Sequence, residues 1–155
     1  YGPTHYAEFL DQTLVPDVSQ HLNTEEHVHL VAWSWTTQRT IETALRVPER
    51  VASLILVAPR FSEGTRYYGD RVDYAEANIR HLATRLPDVP IAVSLPPARQ
   101  DSPFAWTDSE SERFIDLATE VGLDVRTFDV SDPNIVAQGE AIPAGIAAVM
   151  GRSQR

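Results

Sequence analysis

Apolar positions along the chain fall into two kinds of run. Three are short and nearly unbroken: His27–Trp33 (HVHLVAW), Val51–Ala58 (VASLILVA) and Val89–Leu95 (VPIAVSL). A fourth, Leu123–Val130 (LDVRTFDV), alternates. Unbroken runs of this length bounded by turn residues predict strands covered on both faces, and the fourth run predicts a further strand. Between them, apolar residues return at three- and four-residue intervals, the spacing of a helix face.

Tyr6, Phe9, Leu10, Thr13, Leu14 and Val18 mark a first helix, with Thr4 as its N-cap and Pro16 as a kink or break. Ile41, Ala44 and Leu45 mark a second, over Thr36–Val47, stopped by Pro48. After an irregular stretch from Arg60 to Val72, Asp73 and Glu76 form a capping box for a third helix with Ala75, Ile79, Leu82, Ala83 and Leu86 inward. Thr107 with Glu110 caps a fourth, running to Val121 with Phe114, Ile115, Leu117, Ala118 and Val121 inward and Gly122 as the C′ residue. Ala141–Met150 is the last. Strands alternating with helices predict a single α/β domain over residues 1–155, with a doubly wound, mostly parallel sheet and helices on both faces.

Ligand sites in such sheets lie at the C-terminal strand ends. Three loops reach that edge: Trp33–Thr36, the proline-rich Pro96–Trp106 and Ser131–Glu140. The first carries Ser34 at a strand-to-helix junction, within Ala32-Trp33-Ser34-Trp35-Thr36. A serine there fits a nucleophile elbow, in which the next N–H, that of Trp35, opens a helix and points at a developing oxyanion. It fits an ordinary N-cap serine equally well. An elbow favours small residues two before and two after the serine; alanine fits, whereas the β-branched Thr36 predicts strain. Trp33, Trp35, Trp106 and Phe104 could line an aromatic pocket or simply pack.

Composition narrows the chemistry. The net charge is −9, with 22 acidic residues against 13 basic ones, all arginine, which disfavours a nucleic-acid partner. No apolar run approaches the ~20 residues of a membrane span, no leader segment is recognisable, and the cytoplasm is the default compartment. Cysteine is absent, which excludes disulfides and thiolate chemistry. No spacing of His, Asp or Glu predicts a metal site, and the glycines form no phosphate loop, so no cofactor is expected.

The run VHLVAWSWTT…ALRVPERVASLILVAP resembles the elbow region of the α/β-hydrolase superfamily, in which hLVGxSxGG…A…PERVxxLVLVAP is common. The close correspondence covers about 35 residues; the rest follows by element order. The opening helix is similar to that of an esterase branch and the W-S-W centre to a proline-iminopeptidase-like branch. The resemblance implies Ser34 as nucleophile and an acid in the loop after Leu95, where Asp101 stands nearest and Asp108 second; Asp101 reads as readily as a solvated loop residue. It also implies a histidine after the last strand, but Ser131–Glu140 holds none, and Asn134 stands closest to its place. An amide cannot take the serine proton. All five histidines, His5, His21, His27, His29 and His81, lie upstream, and only His5, in the loop entering the first helix, could reach the catalytic edge.

The family also has strands before this chain's first residue, including the loop that donates a second oxyanion N–H. A truncated hydrolase-like domain, the C-terminal part of a longer one, is therefore expected. Three readings follow: a serine hydrolase of a small-molecule ester, thioester or amide with a non-standard or impaired triad; an inactive pseudo-hydrolase that binds a ligand or protein; and a piece whose sheet is completed by another segment or by a second copy.

Overall fold

The computed structural model describes residues 3–22, 26–61, 78–95, 105–130 and 135–151. Its core is a four-stranded sheet in the order β1-β2-β3-β4, with β1 Val28–Trp33, β2 Val51–Val57, β3 Ile91–Leu95 and β4 Val125–Asp129. Every pairing is parallel, with Trp33 opposite Val57, Leu56 opposite Val93 and Leu95 opposite Asp129. This is an α/β fold, and parallel neighbours require the helical crossovers that the sequence pattern predicts.

Helices cover the two faces unequally. One face, with Leu30, Ala32, Leu54, Leu56, Ile91 and Val93, packs under α1 (Pro3–Phe9), α2 (Val15–Leu22), α3 (Thr37–Arg46), α4 (described over residues 78–83) and α5 (Ala105–Glu120). The other, with Ile55, Val57 and Ala92, packs under α6 (Ile135–Val149) through Ala141 and Val149. Gly145 lets α6 approach closely: a Cβ there would overlap Ile55 Cγ2 and lie 3.2–3.3 Å from the Phe128 ring.

β2 is buried along almost its whole length, as its unbroken apolar run predicts. β1 departs from that expectation. Leu30 and Ala32 are buried, but His29 and Val31 are exposed, because α6 spans the far face only over the other strands and β1 is an outer strand of the described sheet.

The first helix differs in phase. Thr4 lies inside α1 rather than capping it. A π-helical turn, Leu10–Leu14, separates α1 from α2, closed by Val15 N–H donating to Leu10 O. Pro16 cannot donate to a preceding carbonyl, and the wider turn just ahead of it absorbs the break. Ala7, Leu10 and Val15 face inward, the π turn setting the five-residue step from Leu10 to Val15, while Tyr6, Phe9, Leu14 and Val18 are exposed.

α5 begins at Ala105, so Thr107 lies within the helix rather than ahead of it, and Glu110 Oε2 accepts from Phe61 N–H, described below. Val121 is exposed. Gly122, at φ 88°, ends α5 in a Schellman motif, with Leu123 N–H donating to Ala118 O and Gly122 N–H to Thr119 O, both at 3.0 Å. α6 starts six residues before the predicted Ala141 and carries Pro143 inside it. The expected capping box at Asp73 lies outside the described residues. Among the described residues no helix is long and apolar enough to cross a membrane.

Candidate active site

β1 ends in extended backbone at Trp33 (φ −131°, ψ 120°), and the next residue, Ser34, turns sharply at φ 46°. Residues Ser34–Thr36 form one 3-10 turn that runs directly into α3. A positive φ on a residue with a Cβ costs about 1–3 kcal/mol and persists only where neighbours hold it.

Two threonines hold it. Thr36 Oγ1 accepts from Trp33 N–H at 2.7 Å and donates to Trp33 O at 2.9 Å, clasping the last strand residue from both sides. Thr37 Oγ1, fully buried, donates to Ser34 O at 2.6 Å and accepts from Arg60 N–H at 3.3 Å. At about 1 kcal/mol net per hydrogen bond, these contacts are of the size needed to offset the strain at Ser34. The β-branched residue expected to strain the turn therefore stabilises it: its hydroxyl folds back onto the strand end, a use of threonine that G-x-S-x-G sequences lack.

The Trp35 N–H stands at the head of this helical turn, where main-chain donors are unsatisfied and the helix dipole favours negative charge. The Trp35 side chain is 56% exposed and Trp33 is half-buried, so the two indoles flank Ser34 unequally.

The neighbouring strand ends in a matching way. Ala58, the residue after β2, has φ 45°, and its N–H donates to the buried Ser94 Oγ of β3 at 2.7 Å. Since Trp33 pairs with Val57, Ser34 and Ala58 occupy corresponding positions on adjacent strands. Two left-handed residues side by side let both strands turn at the C-terminal edge of the sheet.

The histidines lie elsewhere. His5 lies within α1 rather than in a loop, exposed, with its Nδ1 3.7 Å from Glu8. His21 Nδ1 contacts Asp17 O at 2.8 Å, His81 Nε2 stands 3.0 Å from Arg85 Nη1, and His27 is exposed before β1. His29 Nδ1 is 2.7 Å from Ser53 Oγ, on the face of β1 that α6 leaves open. Among the described residues, no imidazole is hydrogen-bonded to the Ser34 hydroxyl. Asp101 and Asn134 lie outside the described residues, and Trp106 sits in the first turn of α5 rather than in a loop. Among the described residues no group of three His, Asp or Glu is placed to hold a metal ion.

Sequence reasoning missed Thr37, Ser94, Asn78 and Glu110 as supports of this edge. A lone serine in the apolar run IAVSL and two threonines in succession after the elbow were the available signals. Glu110 was hidden by its spacing from Thr107, which is that of a capping box and points to a local partner.

No family model matches the sequence, and no curated protein matches it. Among solved structures, the crystal structure of Mycobacterium tuberculosis MPT51 (FbpC1) matches with a TM-score of 0.56 and 14% sequence identity, over 93% of this chain and 68% of that one. At that identity the likeness speaks for the fold alone, and together with the parallel sheet and the turn at Ser34 it makes this chain an α/β protein with an α/β-hydrolase-like fold.

Proposed function

We infer that this chain is a serine hydrolase acting on an ester, thioester or amide of a small molecule, with Ser34 as the nucleophile and a non-standard triad. The observation that carries this reading is the positive φ of Ser34 at a strand-to-helix turn, a strained geometry that an ordinary capping serine does not need. Ser34 Oγ attacks the acyl carbon. The Trp35 N–H receives the charge that develops on the carbonyl oxygen. Asp101, the first carboxylate after β3 in the sequence, serves as the acid of the non-standard triad.

With Asn134 in the place of the usual base, the serine proton leaves to solvent or to a group of the substrate. A leaving group that departs without protonation then suits the site, which favours activated esters and thioesters over amides. Turnover is slow, because the oxyanion contact and substrate binding supply only about 10³–10⁴-fold over water when the rest of a triad is missing. The test is hydrolysis of a panel of p-nitrophenyl esters and acyl thioesters by the wild type and by Ser34→Ala. Loss of turnover in the variant supports the reading, and equal turnover overturns it.

A second reading, an inactive pseudo-hydrolase that binds a ligand or protein partner, is favoured by the histidines, whose contacts lie away from Ser34. β1, an outer strand with Val31 39% exposed, favours completion of the sheet by another segment or a second copy. Light scattering tests the second-copy form: a strict monomer contradicts it.

A further inference from the structure

The four residues that leave β2, Ala58 to Phe61, form neither helix nor strand, yet each of their N–H groups is bound to a side chain from a different element. Ala58 N–H donates to Ser94 Oγ of β3, Arg60 N–H to Thr37 Oγ1 of α3, and Phe61 N–H to Glu110 Oε2 of α5 at 2.6 Å. Pro59 has no N–H to place. The Phe61 carbonyl in turn accepts from Asn78 Nδ2 of α4 at 2.9 Å, and the same amide lies 3.3 Å from Gln38 Oε1 of α3. Without a backbone ladder, the course of this segment depends on those side chains.

Glu110 is the charged member of the set. It is 8% exposed, and a buried carboxylate is costly unless its oxygens find donors. One helical turn further along α5, Phe114 stacks on the Phe61 ring with centroids 5.0 Å apart. α5 therefore grips Phe61 twice, at its N–H and at its ring. The adjacent Arg60 N–H meets the Thr37 hydroxyl that also binds Ser34 O. A continuous line runs from Glu110 through Phe61 and Arg60 to Thr37 and the strained carbonyl side of Ser34.

We propose that Glu110 is a positioning residue for the Ser34 turn, acting through the 58–61 segment and Thr37. It touches no reacting atom. It fixes the segment whose N–H completes the hydrogen bonding of the Thr37 hydroxyl, and that hydroxyl holds Ser34 at positive φ. A carboxylate suits this task because a charge-assisted hydrogen bond is about twice as strong as a neutral one. The consequence for reactivity rests on the reading of Ser34 as a nucleophile; the consequence for the backbone does not.

The test compares wild type, Glu110→Gln and Glu110→Ala by residue-resolved amide exchange and by the rate of Ser34 labelling with a fluorophosphonate. Glu110→Ala should speed exchange at Phe61, Arg60 and Thr37 by about tenfold, the equivalent of one such hydrogen bond, while the amides of β4 and α6 hold their wild-type rates. Its maximal labelling rate should fall by a similar factor with the half-saturating probe concentration unchanged. Glu110→Gln, whose amide oxygen can still accept from Phe61 N–H, should restore most of both. If Glu110→Ala does not fold, a small rise in exchange confined to Phe61, Arg60 and Thr37 in Glu110→Gln and the larger rise at Arg60 in Thr37→Val decide the matter. Unchanged exchange at Arg60 and Thr37, or a uniform rise over all elements, overturns the proposal. If wild-type Ser34 takes no label, the nucleophile reading fails, and the exchange pattern alone tests the positioning role.

Discussion

Replacing Thr37 with valine tests whether the turn at Ser34 is held by hydrogen bonding or by packing. Thr37 is fully buried, and valine has nearly its shape, so the change removes one hydroxyl and little volume. Two contacts disappear: the 2.6 Å bond to Ser34 O and the 3.3 Å bond from Arg60 N–H. Ser34 O keeps the main-chain Thr37 N–H of the 3-10 turn, so the loss on that side is a second bond to an oxygen already served. Arg60 N–H loses this acceptor. At about 1 kcal/mol for each bond, less for the longer one, the loss comes to about 1.5–2 kcal/mol. For a domain of this size that corresponds to a fall in Tm of about 3–8 °C. Urea unfolding should show a lower midpoint with an unchanged slope, the mark of a loss of stability rather than a change in the unfolded state. Thr37→Ser, which keeps the hydroxyl, should return most of the difference. A valine variant within about 0.5 kcal/mol of wild type, or a serine variant that loses as much as valine, would refute the assignment of the turn to the Thr37 hydroxyl.

Two further outcomes follow from the packing and the ion pairs. Gly145→Ala would gain about 1 kcal/mol on an exposed helix, but here the new methyl meets Ile55 Cγ2 on a rigid, fully buried branch. Overpacking of about 1–3 kcal/mol should reverse the sign, and in a double-mutant cycle with Ile55→Ala the double variant should lose less than the sum of the two single losses; additivity would contradict the close approach. Arg126 donates to Ala148 O and Val149 O at the end of α6, and Asp124 Oδ2 holds that guanidinium at 2.6 Å, an ion pair that lowers the Asp124 pKa. A carboxyl lowered in the folded state stabilises it above its ordinary value of about 3.9, and the contribution is lost as pH falls through the lowered value. The Tm gap between wild type and Asp124→Asn should therefore be small but present near pH 6 and close as the solution is acidified; a gap that widens in acid would contradict the assignment.

The parallel sheet and its helices were legible because a strand buried on both faces needs an unbroken apolar run, and β2 and β3 have one. The turn at Ser34 was legible as a place, since a strand feeding a helix through a small-x-Ser-x sequence admits few geometries. Its mechanics were not. Spacing alone does not tell whether Thr36 crowds a turn or folds its hydroxyl back onto it, and that depends on a rotamer. The five-residue step from Leu10 to Val15 was hidden because helical periodicity assumes one pitch, and the π turn at Leu10–Leu14 changes it. The role of Glu110 was hidden because its partner, Phe61, lies 49 residues away, while a local partner stood at the spacing of a capping box. The open face of β1 was hidden because the composition of a strand records what it can bury, and the covering element is a tertiary matter.

Ser34 as a nucleophile held in a strained turn is the reading on which the proposed chemistry depends. Intact-mass analysis after incubation with a fluorophosphonate, followed by peptide mapping, tests it most directly. A single adduct should form slowly, map to Ser34, and be absent in Ser34→Ala and in protein unfolded by urea. A folded protein that takes no label, or one labelled equally in Ser34→Ala, would contradict it.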